Sequence, residues 1–122
     1  MSKRILVVED TEDNRQIIRD LLTSFDYELI EAVDGEEGVT MAQSHHPDLI
    51  LMDIQRPVMD GYAATRRIRA IPELAGVPIV AVTSYALSGD EAKTREAGCD
   101  GYVAKPFSPR QLLAKVREFL PD

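Results

Sequence analysis

The segment DLILMD at residues 48–53 has four apolar residues between two aspartates. Polar and apolar residues do not alternate within it, and unbroken runs of this kind are typical of strands that are covered on both faces of a parallel sheet. Similar short runs lie at residues 4–9, 28–31, 78–83 and 101–104. The sequence therefore predicts five strands, and the more polar run at residues 28–31 indicates that the second strand is the least buried.

Segments of helical length separate the predicted strands. In two of them, apolar residues recur at helical spacing and predict a face toward the core: Ile17, Ile18, Leu21, Leu22 and Phe25 in the first, and Leu112, Leu113, Val116 and Leu120 in the last. Three helix starts are indicated by a capping residue and its partner: Asp34 with Glu37, Ser88 with Glu91, and Ser108 with Pro109. Strand and helix alternate five times, so we predict an α/β fold, a (βα)₅ unit with right-handed crossovers and a doubly wound, five-stranded parallel sheet.

The length and composition fit one domain. With 122 residues, of which 44% are apolar, the chain can bury a core without covalent crosslinks, and we expect a single domain over residues 1–122. The formal charge of −7 leaves no basic surface for nucleic acid and no polybasic patch for anionic lipid. Direct contacts with nucleic acid or with a membrane are therefore not expected.

Cysteine content and the N-terminus indicate the compartment. Cys99 is the only cysteine, so no internal disulfide can form, and the sequence MSKRILVVED has carboxylates directly after a short apolar run where a signal peptide would continue. No apolar stretch approaches the roughly 20 residues needed to cross a bilayer. We expect a cytoplasmic protein in which Cys99 is a small, buried residue.

Polar groups end four of the five predicted strands. In open parallel sheets, ligands bind beyond the carboxyl ends of the strands, where the connections diverge to opposite faces. The polar groups at those ends are Glu9 and Asp10, Asp53, Thr83 and Ser84, and Lys105. Because parallel strands bring their carboxyl ends to one edge, we expect these groups to form one site.

The combination of residue types at this edge suits phosphoryl transfer, in which catalysis depends on positioning and on neutralising charge. Three clustered carboxylates repel one another, and a hard divalent cation with oxygen ligands, best matched by Mg²⁺, relieves the repulsion. We expect Asp10 and Asp53 to bind Mg²⁺ directly and Glu9 to act through a water molecule. Asp53 can also attack phosphorus and form an acyl phosphate.

The remaining groups have complementary uses. Lys105 supplies a positive charge opposite the metal, Thr83 can donate a hydrogen bond to a phosphoryl oxygen, and Ser84 is small enough to keep the site open. Each residue taken alone has a simpler explanation as a helix cap, a strand-end hydroxyl or a surface cation. His45 and His46 lack ligand partners at suitable spacing and are expected at a solvated helix end.

Over essentially its whole length, the sequence resembles the receiver domains of response regulators. The motifs that carry the resemblance are ILVVED, LILMDIQRPVMDG around Asp53, VTS at Thr83, and AGCDGYVAKPF around Lys105. The resemblance implies a flavodoxin-like sheet with strand order 2-1-3-4-5 and phosphorylation of Asp53. It also implies that the backbone carbonyl of Gln55 joins Glu9, Asp10 and Asp53 around Mg²⁺, that Thr83 and Lys105 contact the phosphoryl group, and that the peptide bond before Pro106 is cis.

The family resemblance further implies a switch. Thr83 would move toward the phosphoryl group while Tyr102 turns inward, which would change the partner preference of the face built from the fourth helix, the fifth strand and the fifth helix. Gln55 and Tyr85 flank the expected path of hydrolytic water, so we expect them to set the lifetime of the acyl phosphate. Phosphate would come from a histidine kinase or a histidine phosphotransfer protein, and the signal would pass to a downstream protein target because no output domain is expected.

The donor is expected to dock on the first helix. The resemblance names Asn14, Arg15 and Ile18 as candidate contact residues near the site. We expect a signalling switch regulated by protein contact, and not an enzyme that turns over small phosphoesters.

Other functions were weighed against this one. An aspartyl phosphatase of the haloacid-dehalogenase type would have a second Asp two residues after the nucleophile, where this chain has Gln55, and would need room for a cap domain. A dinucleotide-binding module would have a Gly-rich turn after the first strand, where this chain has Glu9 and Asp10. The sequence has no Walker-type GxxxxGK[ST] segment.

Overall fold

The computed structural model describes residues 3–54, 61–83, 95–105 and 107–121. It contains a five-stranded parallel sheet with the order β2-β1-β3-β4-β5. The strands are β1 Arg4–Val8, β2 Glu28–Ala32, β3 Leu49–Asp53, β4 Ile79–Thr83 and β5 Gly101–Ala104. The predicted α/β, doubly wound, flavodoxin-like sheet and its strand order are confirmed.

Helices connect the strands on both faces of the sheet. They are α1 Glu12–Thr23, α2 Gly35–His45, α3 Gly61–Arg69, a short 3₁₀ helix at Pro72–Leu74, and the C-terminal helix Pro109–Phe119; residues 95–97 are also helical. Within the described ranges, none of the helices has the length and apolar composition needed to span a bilayer.

Two of the predicted helix starts are confirmed in detail. The Asp34 side chain accepts a hydrogen bond from the backbone N–H of Glu37 at 2.8 Å. Ser108 and Gln111 form a reciprocal capping box, in which each side chain accepts from the other residue's backbone N–H. The third predicted start, at residues 88–91, lies outside the described residues.

The two faces of the sheet have separate cores. One core joins alternate strand residues with Ile18 and Leu22 of α1 and with Leu112 and Val116 of the C-terminal helix. The other core joins the remaining strand residues with α2 and α3. All residues of β3 and β4 are buried, whereas β2 and β5 have one buried residue each. The second strand is therefore less buried than the central strands, as predicted, but β5 is buried to a similar extent.

The apolar face predicted for α1 was too wide. Ile18 and Leu22, four residues apart, face the core, but Ile17 is 54% exposed because it lies about 100° around the helix from Ile18. Phe25 comes after the helix has ended at Thr23 and is 44% exposed. Its ring packs under the guanidinium of Arg117, 5.2 Å from the ring centroid.

The connections diverge between β1 and β3, at the centre of the sheet. The chain leaves β1 into α1 on one face and leaves β3 toward α3 on the opposite face. The two strands therefore open a crevice at their carboxyl ends, where Glu9 and Asp53 lie. The fold thus places the predicted site residues at the position where ligands bind in sheets of this kind.

Candidate functional site

Three carboxylates meet at the carboxyl edge of the sheet. Glu9 and Asp10 follow β1, Asp53 ends β3, and one carboxylate oxygen from each lies within 4.8 Å of the others. Glu9 is 3% exposed and Asp53 is 1% exposed, whereas Asp10 lies at the surface. The cluster is therefore closed on the protein side and open to solvent at Asp10.

Lys105 lies against the two buried carboxylates. Its Nζ is 3.1 Å from Asp53 Oδ2 and 3.4 Å from Glu9 Oε1. The backbone holds the lysine in place, because the N–H of Lys105 donates to the carbonyl oxygen of Thr83 at 2.7 Å and so extends the pairing of β5 with β4. A lysine 52 residues away in sequence thus pairs with Asp53.

The turn after β1 fixes the orientation of Glu9. Its backbone N–H donates to the carbonyl oxygen of Ala32 at 3.0 Å, and its Oε2 accepts from the backbone N–H of Thr11 at 3.1 Å. The Thr11 hydroxyl donates to Asp10 Oδ1 at 3.1 Å. Thr11 precedes α1, but its side chain makes no capping hydrogen bond, since its hydroxyl is used by the acidic cluster.

Burial and like charge act on Glu9 in the same direction. Burial raises the pKa of Glu9 above its usual value, and the nearby Asp53 carboxylate raises it further, while the Thr11 N–H and Lys105 act against the shift. The positive charge of Lys105 therefore only partly compensates the buried acidic pair.

The donor set fits a hard divalent cation. Among the residues that the structure describes, the cluster has three carboxylates and Lys105 pairs with two of them, so negative charge is in excess there. Every side-chain donor of the cluster is an oxygen atom. Oxygen donors with an open side for water are the ligands that Mg²⁺ prefers. Within the described residues, no other group of three or more acidic, histidine or cysteine side chains could hold a metal ion.

Thr83 ends its strand at the same edge of the sheet as this cluster, whereas Tyr102 lies farther back in the neighbouring strand, paired with Ala81. Thr83 ends β4, is 1% exposed, and directly follows Val82, which is paired with Asp53 in the sheet. Tyr102 is half-buried in β5 and packs against the core on the α2 and α3 side. Both residues are thus in the strands that border the site.

Several predicted site residues lie outside the described ranges. They are Gln55, Ser84, Tyr85 and Pro106. Their roles in metal binding, access, phosphate lifetime and cis peptide geometry stay predictions.

The predicted docking residues on α1 are only partly available. Ile18 is 2% exposed and belongs to the core, so its assignment as a donor contact was wrong. The Arg15 side chain is 12% exposed and contacts the turn after β1, while Asn14 is half-buried. The exposed apolar residue on this helix is Ile17, which the sequence predicts on the core face together with Ile18.

His45, His46 and Cys99, which the sequence predicts to lie outside the functional site, have the predicted surroundings. His45 and His46 are exposed at the end of α2, with His46 in the left-handed conformation at a φ of 48°. Cys99 is 7% exposed, its Sγ is 3.8 Å from the Thr65 hydroxyl, and burial raises the pKa of its thiol. Burial and a raised pKa both make this thiol unreactive.

Comparison with known proteins identifies the family. The model of the response regulator receiver domain matches residues 5–117. The chain is 40% identical over 122 residues to the polar-differentiation response regulator DivK of Brucella ovis, with 100% of this chain and 99% of that relative covered.

Solved structures agree in fold. The receiver domain of the sensor histidine kinase PA1611 from Pseudomonas aeruginosa, which has a magnesium ion coordinated in its active site cleft, superposes with a TM-score of 0.92 at 38% identity over 100% of both chains. The chemotaxis protein CheY4 of Vibrio cholerae superposes with a TM-score of 0.93 at 28% identity, covering 98% of this chain and 99% of that one. Since the family match also spans nearly the whole chain, the protein belongs to the response regulator receiver domain family, the signalling switches of two-component systems.

Proposed function

We propose that residues 1–122 act as a single, stand-alone receiver domain that accepts a phosphoryl group on Asp53 in a Mg²⁺-dependent reaction. The observation that carries the proposal is the contact of Lys105 Nζ with Asp53 Oδ2 at 3.1 Å beside the cluster of three carboxylates. A buried nucleophile, a fixed cation and a divalent metal site are together the parts that phosphoryl transfer to a carboxylate needs.

In this proposal, Asp10, Asp53 and the backbone carbonyl of Gln55 would bind Mg²⁺ directly, and Glu9 would act through a water molecule. When bound, the ion neutralises charge that spreads over the phosphoryl oxygens. The protein holds the proposed metal ligands close together before the ion binds. Glu9 is held by the Thr11 N–H, and Asp53 is held at the end of a buried strand.

The transfer itself exchanges one bond to phosphorus for another. A carboxylate oxygen of Asp53 bonds to phosphorus while the bond from phosphorus to an imidazole nitrogen of the donor breaks. The imidazole keeps the electron pair and takes up a proton from solvent. Lys105, already 3.1 Å from Asp53, needs little movement to pair with an oxygen of the transferred group, and the Thr83 hydroxyl donates to another.

The donor in this proposal is a histidine kinase or a histidine phosphotransfer protein. The output is a change in binding to a downstream protein, through Thr83 and Tyr102. Such a change is a population shift, which requires phosphate to interact better with one arrangement of these side chains than with the other. A groove of about 360 Å³ between β5 and the C-terminal helix, lined in part by Tyr102 and Lys115, is the surface where we expect this change.

The lifetime of the acyl phosphate in this proposal depends on Gln55 and Tyr85, which flank the path of hydrolytic water. The protein therefore acts as a switch that promotes its own phosphorylation and slow dephosphorylation. We place it in the cytoplasm, where its proposed phosphodonors act, with no direct contact to nucleic acid or a membrane.

The test uses acetyl phosphate as a small phosphodonor. Wild type, Asp53→Asn and the matched control Asp20→Asn, which removes an exposed carboxylate from α1, are incubated with and without Mg²⁺, and their intact masses are measured. We expect the mass of one phosphoryl group in the wild type and in Asp20→Asn, only with Mg²⁺, and none in Asp53→Asn.

Two results would contradict this proposal. Equal phosphoryl incorporation in Asp53→Asn would move the acceptor to another residue. Release of many phosphates per protein from small phosphoesters would instead favour the aspartyl phosphatase, the alternative that also uses an Asp nucleophile and Mg²⁺.

A further inference from the structure

Arg15 contacts the backbone that carries two of the three clustered carboxylates. Its Nη1 donates to the carbonyl oxygen of Glu9 at 2.8 Å and to that of Asp10 at 3.2 Å. One guanidinium group therefore bridges the two peptide units whose orientation determines where both carboxylates lie. The Arg15 side chain is only 12% exposed, so it is part of the turn and little of it faces solvent.

The same guanidinium is held from its other side by two glutamates. Arg15 forms an ion pair with Glu12 in the first turn of α1, and its Nε is 3.3 Å from Glu31 Oε1 on β2. Arg19 binds the same two glutamates, at 3.2 Å from Glu12 and 2.7 Å from Glu31. The guanidinium of Arg15 is thereby anchored to both α1 and β2.

The ion-paired arginines and glutamates form a group without net charge next to the proposed Mg²⁺ site. Two arginines and two glutamates pair with each other, and the arginines hold the pKa values of both Glu12 and Glu31 below their usual range. Both glutamates are therefore ionised at neutral pH, and the two negative charges balance the two guanidinium groups. A guanidinium can then lie beside the acidic turn without adding net positive charge that would oppose a divalent cation.

We propose that Arg15 is a positioning residue of the metal site: it holds the Glu9 and Asp10 carbonyl groups so that both carboxylates are in place before the ion arrives. The inference rests on the proposed Mg²⁺ site and adds a residue that does not touch the ion. Arginine suits this role because its planar fork donates several hydrogen bonds in fixed directions, which a lysine ammonium cannot do. Groups that orient metal ligands in this way typically affect metal affinity by about 10–100-fold.

Losing the charge of Arg15 and losing its hydrogen bonds should change the Mg²⁺ affinity in opposite directions. Removing a positive charge from the balanced group leaves it negative, which by electrostatics alone would make Mg²⁺ binding tighter by roughly threefold or less. Losing the two carbonyl contacts would make Mg²⁺ binding weaker. Arg19 provides the matched control, because it carries the same charge and binds the same glutamates but makes no contact with the turn among the described hydrogen bonds.

The experiment measures the Mg²⁺ dissociation constant by isothermal titration calorimetry for wild type, Arg15→Ala, Arg15→Lys and Arg19→Ala. Backbone hydrogen exchange at residues 9–11 is measured in the metal-free proteins, and urea unfolding checks that each variant is folded. We expect Arg15→Ala to bind Mg²⁺ at least tenfold more weakly and to exchange faster at residues 9–11. We expect Arg19→Ala to bind as tightly as wild type or slightly tighter.

Arg15→Lys keeps the charge and is the second variant if Arg15→Ala does not fold. We expect its Mg²⁺ affinity to be reduced too, since one ammonium group cannot replace the fork. Equal Mg²⁺ affinity and equal exchange in the Arg15 variants and Arg19→Ala would overturn the positioning role while leaving the metal site intact. Absence of saturable Mg²⁺ binding in the wild type would instead overturn the proposed function, and the inference with it.

Discussion

Two acidic residues at the carboxyl edge of the sheet are buried, and their burial lowers the free energy of unfolding. Glu9 and Asp53 are almost completely buried, and one lysine faces both of them. Burying like charges with a single counter-charge is unfavourable, and such groups are found mainly where a ligand or a reaction requires them. The energetic cost is therefore itself an indication of function.

Replacing Glu9 by Gln should stabilise the metal-free protein. The pKa of Glu9 is raised in the folded state, so the folded protein loses stability as the pH rises from about 4.5, the ordinary pKa, through the folded pKa. Above the folded pKa, Glu9 is ionised and the whole loss of stability is present. A Gln side chain stays neutral, and its amide oxygen can still accept a hydrogen bond from the Thr11 N–H. We expect the free energy of unfolding at pH 7 to rise by about 0.5–2 kcal/mol.

Urea unfolding of wild type and Glu9→Gln, without Mg²⁺, measures this difference at pH 7 and again below pH 4.5. The gap should close at the lower pH, where wild-type Glu9 is protonated. Glu96→Gln, at an exposed position, is the control and should change stability by less than about 0.5 kcal/mol. A less stable Glu9→Gln variant at pH 7 would show that the carboxylate stabilises the fold.

The residues of the acidic cluster could be predicted from the sequence, but the residue that we propose positions them could not. Glu9, Asp53, Thr83 and Lys105 were predictable because each ends or follows a predicted strand, and parallel strands share an edge. Arg15 was not predicted in its positioning role, because its partners are backbone carbonyls, which every residue has. A side chain that recognises backbone leaves no pattern in the sequence.

The start of α3 lies close against the end of β3 near the site. A Cβ atom on Gly61, the first residue of α3, would lie 2.5 Å from the Cα of Ile54 and 2.9 Å from the carbonyl oxygen of Asp53. Both are backbone atoms that cannot rotate away. Glycine at position 61 therefore lets α3 lie directly against the residue that we propose is phosphorylated.

Gly61→Ala should destabilise the protein by about 1–3 kcal/mol, because the added methyl group forces α3 and β3 apart. Gly76→Ala is the matched control, since a Cβ atom there would have no neighbour within 4 Å. We expect the control to stay within about 0.5 kcal/mol of wild type. The free energies are measured by urea unfolding, and equal stability of the two variants would mean that the close approach does not constrain the helix.

The strands were predicted more accurately than the core-facing residues of the helices. The five apolar runs predicted the strands because burial on both faces leaves little room for polar residues. The apolar stripe of α1 was assigned two residues too many, since Ile17 and Phe25 are apolar but point away from the core. Spacing alone cannot say how much of a helix surface its neighbours cover.

In the whole molecule, the two edges of the sheet have different roles. The carboxyl edge holds the acidic site, whereas the amino edge is held together by Arg69 of α3. Arg69 donates to the carbonyl oxygens of Gly98 at 2.8 Å, Ala75 at 3.0 Å and Val77 at 2.6 Å. It also forms an ion pair with Asp100, whose Oδ2 accepts from the backbone N–H of Ile79 at 2.9 Å.

Arg69→Met should lower the free energy of unfolding by about 2 kcal/mol, because several carbonyl groups lose a charged donor while the apolar stem of the side chain is largely kept. Arg66→Met, at an exposed position on the same helix, should change it by less than about 0.5 kcal/mol. Urea unfolding measures the stabilities and calorimetry measures Mg²⁺ affinity. A large loss of Mg²⁺ affinity in folded Arg69→Met would contradict the separation of the two edges.

The strand order was implied by the family resemblance. The doubly wound parallel sheet itself was predictable because few arrangements satisfy five buried parallel strands with helical crossovers of fixed handedness. The contacts of Arg69 were not, since they join the end of α3 to the segments before β4 and β5 only after the chain has folded. The same reason applies to the balanced group of arginines and glutamates around Arg15. Long-range polar contacts depend on the exact packing of elements that the sequence defines only approximately.

If Asp53 receives the phosphoryl group, the acyl phosphate must form at residue 53, and its position in the chain can be measured. The protein is incubated with acetyl phosphate and Mg²⁺, treated with borohydride, which reduces an aspartyl phosphate to homoserine, and sequenced by tandem mass spectrometry. We predict homoserine at position 53 in the wild type, and none without Mg²⁺. Homoserine at another position, with Asp53 unmodified, would contradict the account.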